Sequence, residues 1–196
     1  MTERRAMTRA DIMPMERYLT ERKDHRSRVS ALKKNRRIEV GPHATFYFEN
    51  FDTMWHQVHE MLAVERGGEA QIVDELEAYN PLIPKGDDLV ATVMFEIDDP
   101  NLRARVLGQL GGVESKIALS FAGEKIAGIP DPTRENTSPE GKASSVQFVR
   151  FPFTAAQKQK FRAAGTQVVI GIEHPHYGHM AVLPETVRQT LASDLA

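Results

Sequence analysis

Two short β-prone segments, residues 116–122 and 125–129, flank Gly123-Glu124, and this hairpin signal constrains the fold more than any other feature of the chain. A tight hairpin joins antiparallel neighbours, whereas parallel strands need a long crossover. The other strand-like runs are ATFYFE (44–49), LVATVMFEI (89–97), residues 144–153 and QVVIGIE (167–173). They fall between helical stretches without regular alternation of strand and helix. The expectation is a single α+β domain over residues 1–196, with an antiparallel or mixed sheet packed against several helices. Residues 1–37 form its basic N-terminal helical segment and 38–196 its α+β body.

Start and stop signals place the helices. Thr8 caps a short turn at TRADI, and Pro14 opens a long helix over residues 15–34 whose apolar positions Tyr18, Leu19, Val29 and Leu32 are sparse. Asp52 or Thr53 caps a helix to Arg66. A further helix covers residues 69–79, and Asp98 or Asp99 with Pro100 starts another that stops at Gly111-Gly112. Thr154 caps a helix to Ala164, and the last begins at Pro184. Residues 130–143 are the most polar loop.

Composition narrows the chemistry. With 41% hydrophobic and 27% charged residues over 196 positions, the chain has a globular balance. It has no cysteine, which excludes disulfides, thiolate zinc sites, cysteine nucleophiles and iron–sulfur ligation. A bound metal would be Fe, Zn or Mn on His and carboxylate ligands. No apolar run reaches membrane-spanning length and no targeting segment is recognisable, so a cytoplasmic location is expected. The net charge of −2 hides an asymmetry: residues 1–37 carry 12 Lys/Arg against 5 Asp/Glu. Such a segment either packs on the acidic remainder of its own chain or meets nucleic acid between Arg26 and Arg37.

Four constellations are candidates for function. His56, His59 and Glu60 fall within one sector of a helix, where a metal could be held, although the plain reading is a solvated helix face opposite the stripe Phe51, Trp55, Val58 and Leu62. Glu65 lies near that stripe, so it is expected to be buried against an Arg or His, with Arg66 beside it. The run Glu173-His174-Pro175-His176-Tyr177-Gly178-His179 presents three histidines at a strand end. His174 is expected to share a pocket with Glu60 or Glu65, and His43 is a further possible ligand. The polar loop contributes Arg134. No Walker loop, dinucleotide fingerprint or nucleophile elbow occurs.

The runs LKKNRRIEVGPHATFYFE (32–49), QVHEMLAVER (57–66), EAYNPLIP (77–84), SSVQFVRF (144–151) and EHPHY (173–177) resemble a bacterial family known as domain of unknown function 3501. The resemblance spans nearly the whole chain. It matches Glu60, Glu65, Arg66, Asn80, Pro81, His174 and Pro175, and it leaves His56, His59, His176 and His179 outside its pattern. It implies no assigned activity. It implies a genomic setting beside a rubrerythrin-like di-iron protein and an iron–sulfur oxidoreductase, hence an accessory role in redox or peroxide metabolism. An enzyme with a mononuclear His/carboxylate metal site is the alternative, with Glu65 and His174 as candidate catalytic groups. Nucleic-acid binding through the basic segment is the weaker third.

Overall fold

The computed structural model describes residues 4–195. Six α-helices and nine strands follow in the order α1 (Met15–Lys33), β1 (Arg37–Val40), β2 (Ala44–Phe48), α2 (Phe51–Glu65), α3 (Gly68–Tyr79), β3 (Asp88–Phe95), α4 (Pro100–Gly108), β4 (Ile117–Phe121), β5 (Glu124–Ala127), β6 (Ile129–Pro130), β7 (Val146–Pro152), α5 (Ala155–Arg162), β8 (Val168–His174), β9 (Tyr177–Val182) and α6 (Glu185–Asp194). All strand pairings are antiparallel. They make a five-stranded sheet ordered β1-β2-β3-β7-β6 and a four-stranded sheet ordered β5-β4-β8-β9. The fold is α+β, as the hairpin signal predicts.

That hairpin forms one residue earlier than expected. Phe121 pairs with Glu124, so the turn is Ala122-Gly123, and both residues have positive φ (47° and 77°). This is the twist a two-residue hairpin demands. Helix α2 is capped by Asn50, whose side chain accepts from the Thr53 backbone N–H at 3.0 Å while Thr53 Oγ1 accepts from the Asn50 N–H at 2.9 Å. Asp99 and Thr154 cap α4 and α5 as expected.

Strand periodicity divides the protein into layers. On β2, β3 and β7, the side chains of Phe46, Phe48, Leu89, Ala91, Val93, Val149 and Phe151 point to one face. They form a common core with Ile117, Leu119 and Phe121 of β4 and with Val168, Ile170 and Ile172 of β8. The opposite face of the five-stranded sheet carries Val90 and Phe148. It packs on Met54, Val58 and Leu62 of α2, Ile72 of α3 and the N-terminal Met7 and Ile12. Helices α2 and α3 therefore lie over one face of a sheet whose other face meets the second sheet.

The two sheets are joined at one corner by Tyr177. Its hydroxyl donates to Val40 O and accepts from the backbone N–H groups of His43 and Ala44, all at 2.8 Å. Gly41 is required there: its φ is +70°, and a Cβ would come within 2.5 Å of the His179 ring and 2.9 Å of the Tyr177 oxygen.

Candidate functional site

The helix-covered face of the sheet is incompletely filled. Strand register aligns Tyr47, Thr92 and Phe148 as cross-strand partners, and Met94 lies opposite Val146. These side chains form the floor of a groove of about 460 Å³. Its wall comes from Met54 and Gln57 of α2, Tyr79 at the end of α3 and Leu82 in the following turn. Glu49 and Lys33 complete the lining. An apolar floor with few polar groups is the usual make-up of a small-molecule site.

Glu49 is the unusual member. It directly follows β2 and is 5% exposed. Thr53 Oγ1 donates to its Oε2 at 2.6 Å and Thr92 Oγ1 donates to its Oε1 at 2.7 Å. No Arg, Lys or His forms an ion pair with it among the described residues. The start of α2, two residues along the chain, adds the positive end of a helix dipole. A carboxylate offers about four acceptor positions, so two hydroxyls leave acceptor capacity on the groove wall. Tyr79, also on the lining, has a phenol that burial makes harder to ionise than an ordinary tyrosine.

A second cavity, of about 440 Å³, adjoins the first and shares Lys33 and Tyr47 with it. Arg26, Val29, Ser30, Lys34, Arg37 and His56 complete its lining.

Beneath these cavities α1 and α2 meet through a polar network. Arg22 grips Glu60 with two hydrogen bonds of 2.9 Å, and Tyr18 donates to the same carboxylate at 2.7 Å. These donors, Arg22 foremost, hold the Glu60 carboxyl down to about 2. Burial and Glu60 together raise the Tyr18 phenol. Because Tyr18 commits its proton to an ionised Glu60, the 3.2 Å contact with His56 Nδ1 is donated by the imidazole. His59 is fully buried: its Nδ1 donates to Trp55 O at 2.7 Å and its Nε2 accepts from Met13 N–H at 3.1 Å. Burial pushes its pKa down to about 4, so it is neutral.

The residues expected to carry function therefore separate. His56, His59 and Glu60 do not lie on a solvated face; α1 covers them, because the stripe Tyr18, Arg22, His25 and Val29 of α1 meets that side of α2. Glu65 is exposed rather than buried and accepts from the Gln71 amide at 2.9 Å, with neither Arg nor His as partner. It is the last residue of α2, after the buried Leu62 and Ala63. Arg66 follows with a left-handed φ of 57°, ending α2, and is solvent-facing. His174 is buried, yet no carboxylate pairs with it. Its Nδ1 accepts from the His176 N–H at 3.2 Å, and Nε2 reaches Gly111 O at 3.3 Å. It closes the Pro175-His176 turn of the β8–β9 hairpin, far from Glu60 and Glu65 in the layer order. His176 and His179 are exposed, and His43 and His179 flank Tyr177. Asn80 ties down the N-terminal segment, accepting from Met7 N–H at 2.7 Å and donating to Met7 O at 2.9 Å. Arg134 lies over the Phe148 ring, 5.2 Å from its centroid. Among the described residues no group of three or more His, Asp or Glu side chains converges as a metal cage.

The residues missed from sequence are Lys33, Tyr47, Glu49, Gln57, Tyr79 and Thr92. Period-2 alternation through ATFYFE puts Tyr47 and Glu49 on the face opposite Phe46 and Phe48, and that was the available signal.

Fold and site together define an α+β protein of two antiparallel sheets, with a ligand-sized groove under its helical layer. The family described as "Protein of unknown function (DUF3501)" matches residues 6–195, and the chain belongs to it. It is similar to a structure described as a novel protein of unknown function from Burkholderia pseudomallei K96243, at 36% identity and a TM-score of 0.90, covering 97% of this chain and all of that one. Comparison with curated proteins gave no match. Four of the five runs that carry the resemblance supply groove residues: Lys33, Tyr47 and Glu49; Gln57; Tyr79 and Leu82; Val146 and Phe148.

Proposed function

We propose that this chain is an accessory binding protein whose groove takes a small molecule bearing an apolar ring and a hydrogen-bond donor, with Glu49 receiving the donor. The observation that carries the reading is a carboxylate only 5% exposed on the wall of an open, mostly apolar groove, held by two threonine hydroxyls and no cation. Burying such a group is costly unless its charge is balanced. A ligand amine or amide N–H would supply that balance, while Phe148, Met54, Met94 and Leu82 would cover the ring.

Met54 and Met94 both line the groove, so their 13C-labelled methyl signals report occupancy directly. In a fragment screen, aromatic amines are expected to shift both methyl signals, and Glu49→Gln is expected to weaken them roughly tenfold or more, the usual worth of a charge-assisted hydrogen bond. Hits that leave both methyls unmoved, or that bind Glu49→Gln equally well, would refute the assignment.

A place in redox or peroxide metabolism rests on the resemblance. A chain without cysteine would serve a rubrerythrin-like or iron–sulfur oxidoreductase partner through a bound organic molecule, not through a cluster of its own. Mixing the purified partner with this protein should give a co-eluting complex; independent elution would remove that role. The mononuclear metal alternative would need a ligand set other than His174, Glu60 and Glu65, which occupy separate environments.

A further inference from the structure

Helix α1 distributes its cations unevenly. Arg17 pairs with Glu21 at 2.8 Å, Arg22 with Glu60 at 2.9 Å and Arg28 with Asp52 at 3.7 Å. Arg26, Lys33 and Lys34 have no ion-pair partner among the described residues. These three line one concavity with Arg37, whose guanidinium pairs with Glu39 at 2.5 Å and lies 5.9 Å from the Tyr47 ring centroid. Helical spacing produces the cluster: Arg26, Ser30 and Lys33 follow one another at i, i+4 and i+7 on one face. Arg37 then enters β1 opposite Tyr47 in the register.

Cations at a helix C-terminus complement the dipole. That accounts for Lys33 and Lys34 but not for Arg26, two turns earlier, nor for convergence on one hollow. Like charges gathered around a hollow, three of the four without an ion-pair partner among the described residues, repel one another. The field they create lowers the proton affinity of His56: burial is the larger cause, and Lys33 and Arg26 oppose the pull of Glu60. An anion in the hollow would relieve the repulsion.

We propose that the hollow lined by Arg26, Lys33, Lys34 and Arg37 is an anion subsite for the phosphate-like group of a small ligand whose ring occupies the adjoining groove. The inference rests on the groove reading, because Lys33 and Tyr47 belong to both cavities. The ligand class is then a compact molecule with a ring, a hydrogen-bond donor and a doubly charged oxyanion. A single hollow of about 440 Å³ suits a terminal phosphate better than a nucleic-acid strand, which needs a continuous basic track with exposed stacking rings.

Binding of pyrophosphate, of phenyl phosphate and of a 20-nucleotide single strand to the full-length protein tests this, with the His56 ring protons and the Met54 and Met94 methyls as separate reporters. Pyrophosphate should shift His56 alone. Phenyl phosphate should shift His56 and the methyls together. A double variant Arg26→Gln/Lys34→Gln, on the exposed side of α1, should weaken both by roughly tenfold per charge removed and leave folding intact. Binding of amine fragments without pyrophosphate would overturn the anion subsite and spare the groove. Pyrophosphate binding with methyls silent to every ring compound would sustain the subsite and overturn the groove. An oligonucleotide that binds more tightly than phenyl phosphate, with a salt dependence reporting more than about four phosphates, would replace the small ligand with nucleic acid.

Discussion

His59 shows how far a residue's role departs from its type. In a helix it reads as a possible ligand, but it is fully buried with both ring nitrogens satisfied by Trp55 O and Met13 N–H. Protonation would cost it the Met13 bond and place a charge in the interior. Its folded pKa of about 4 lies below the ordinary 6.5, so between these values the unfolded chain binds more protons. The associated stability is fully present above pH 6.5 and is lost as pH falls toward 4. The expected loss is about 3 kcal/mol at most, read by urea unfolding at a series of pH values. A His59→Gln variant should show a shallower slope across that window; an unchanged slope would remove His59 as the cause. Glu65 and His174 lack the ion-pair partners expected of them for related reasons. Sequence periodicity placed Glu65 near an apolar stripe but could not show that its side chain is exposed and meets the Gln71 amide. Nor could it show that the nearest acceptor to His174 is a backbone carbonyl.

At the level of elements, the β1–β2 and β8–β9 hairpins depend on each other. The Tyr177 hydroxyl serves two backbone donors and one acceptor of the β1–β2 turn. This explains why GPHAT and EHPHY stand out in the sequence although neither lines the groove. Tyr177→Phe should destabilise the protein by about 2–4 kcal/mol, because two N–H groups lose their acceptor in a poorly hydrated corner. Denaturant unfolding measures it, and a loss under about 1 kcal/mol would mean that water replaces the hydroxyl. Helices α1 and α2 illustrate the opposite case. Helix α1 has only Tyr18 and Val29 buried, so its attachment comes from the Arg22–Glu60–Tyr18 network and from edge-on and tilted contacts of the Tyr18 and His25 rings with Trp55 and His59 of α2, not from an apolar stripe.

Across the whole molecule, Arg36, between α1 and β1, is joined to Asp194 at the end of α6. They form two hydrogen bonds of 2.7 Å and are 4% and 5% exposed. The basic segment thus does meet the acidic body of its own chain at Arg22, Arg28, Arg36 and Arg37, while Arg26, Lys33 and Lys34 stay unpaired. Removing one partner strands a buried charge. Asp194→Ala should therefore cost about 3–5 kcal/mol, whereas Arg36→Met combined with Asp194→Leu should recover most of it. Equal losses in the single and double variants would show that packing, not charge, holds these two segments together. No helix among the described residues is long and apolar enough to cross a membrane.

Local physics made much of this legible from the sequence alone. The antiparallel α+β class follows from the hairpin signal and the lack of regular alternation. Helix starts at Asp99 and Thr154 follow from side-chain capping, and the absence of thiolate chemistry follows from composition. These depend on neighbours a few residues apart. The groove depends on register. Tyr47, Thr92 and Phe148 become neighbours only when β2, β3 and β7 align, and α1 turns a histidine-bearing helix face into an interior only by lying across it. Whether a carboxylate faces an arginine, two hydroxyls or water is set by chain segments tens of residues away. Glu49 and Glu65, alike in type and 16 positions apart, therefore parted company only when the tertiary structure buried one at a groove wall and left the other exposed.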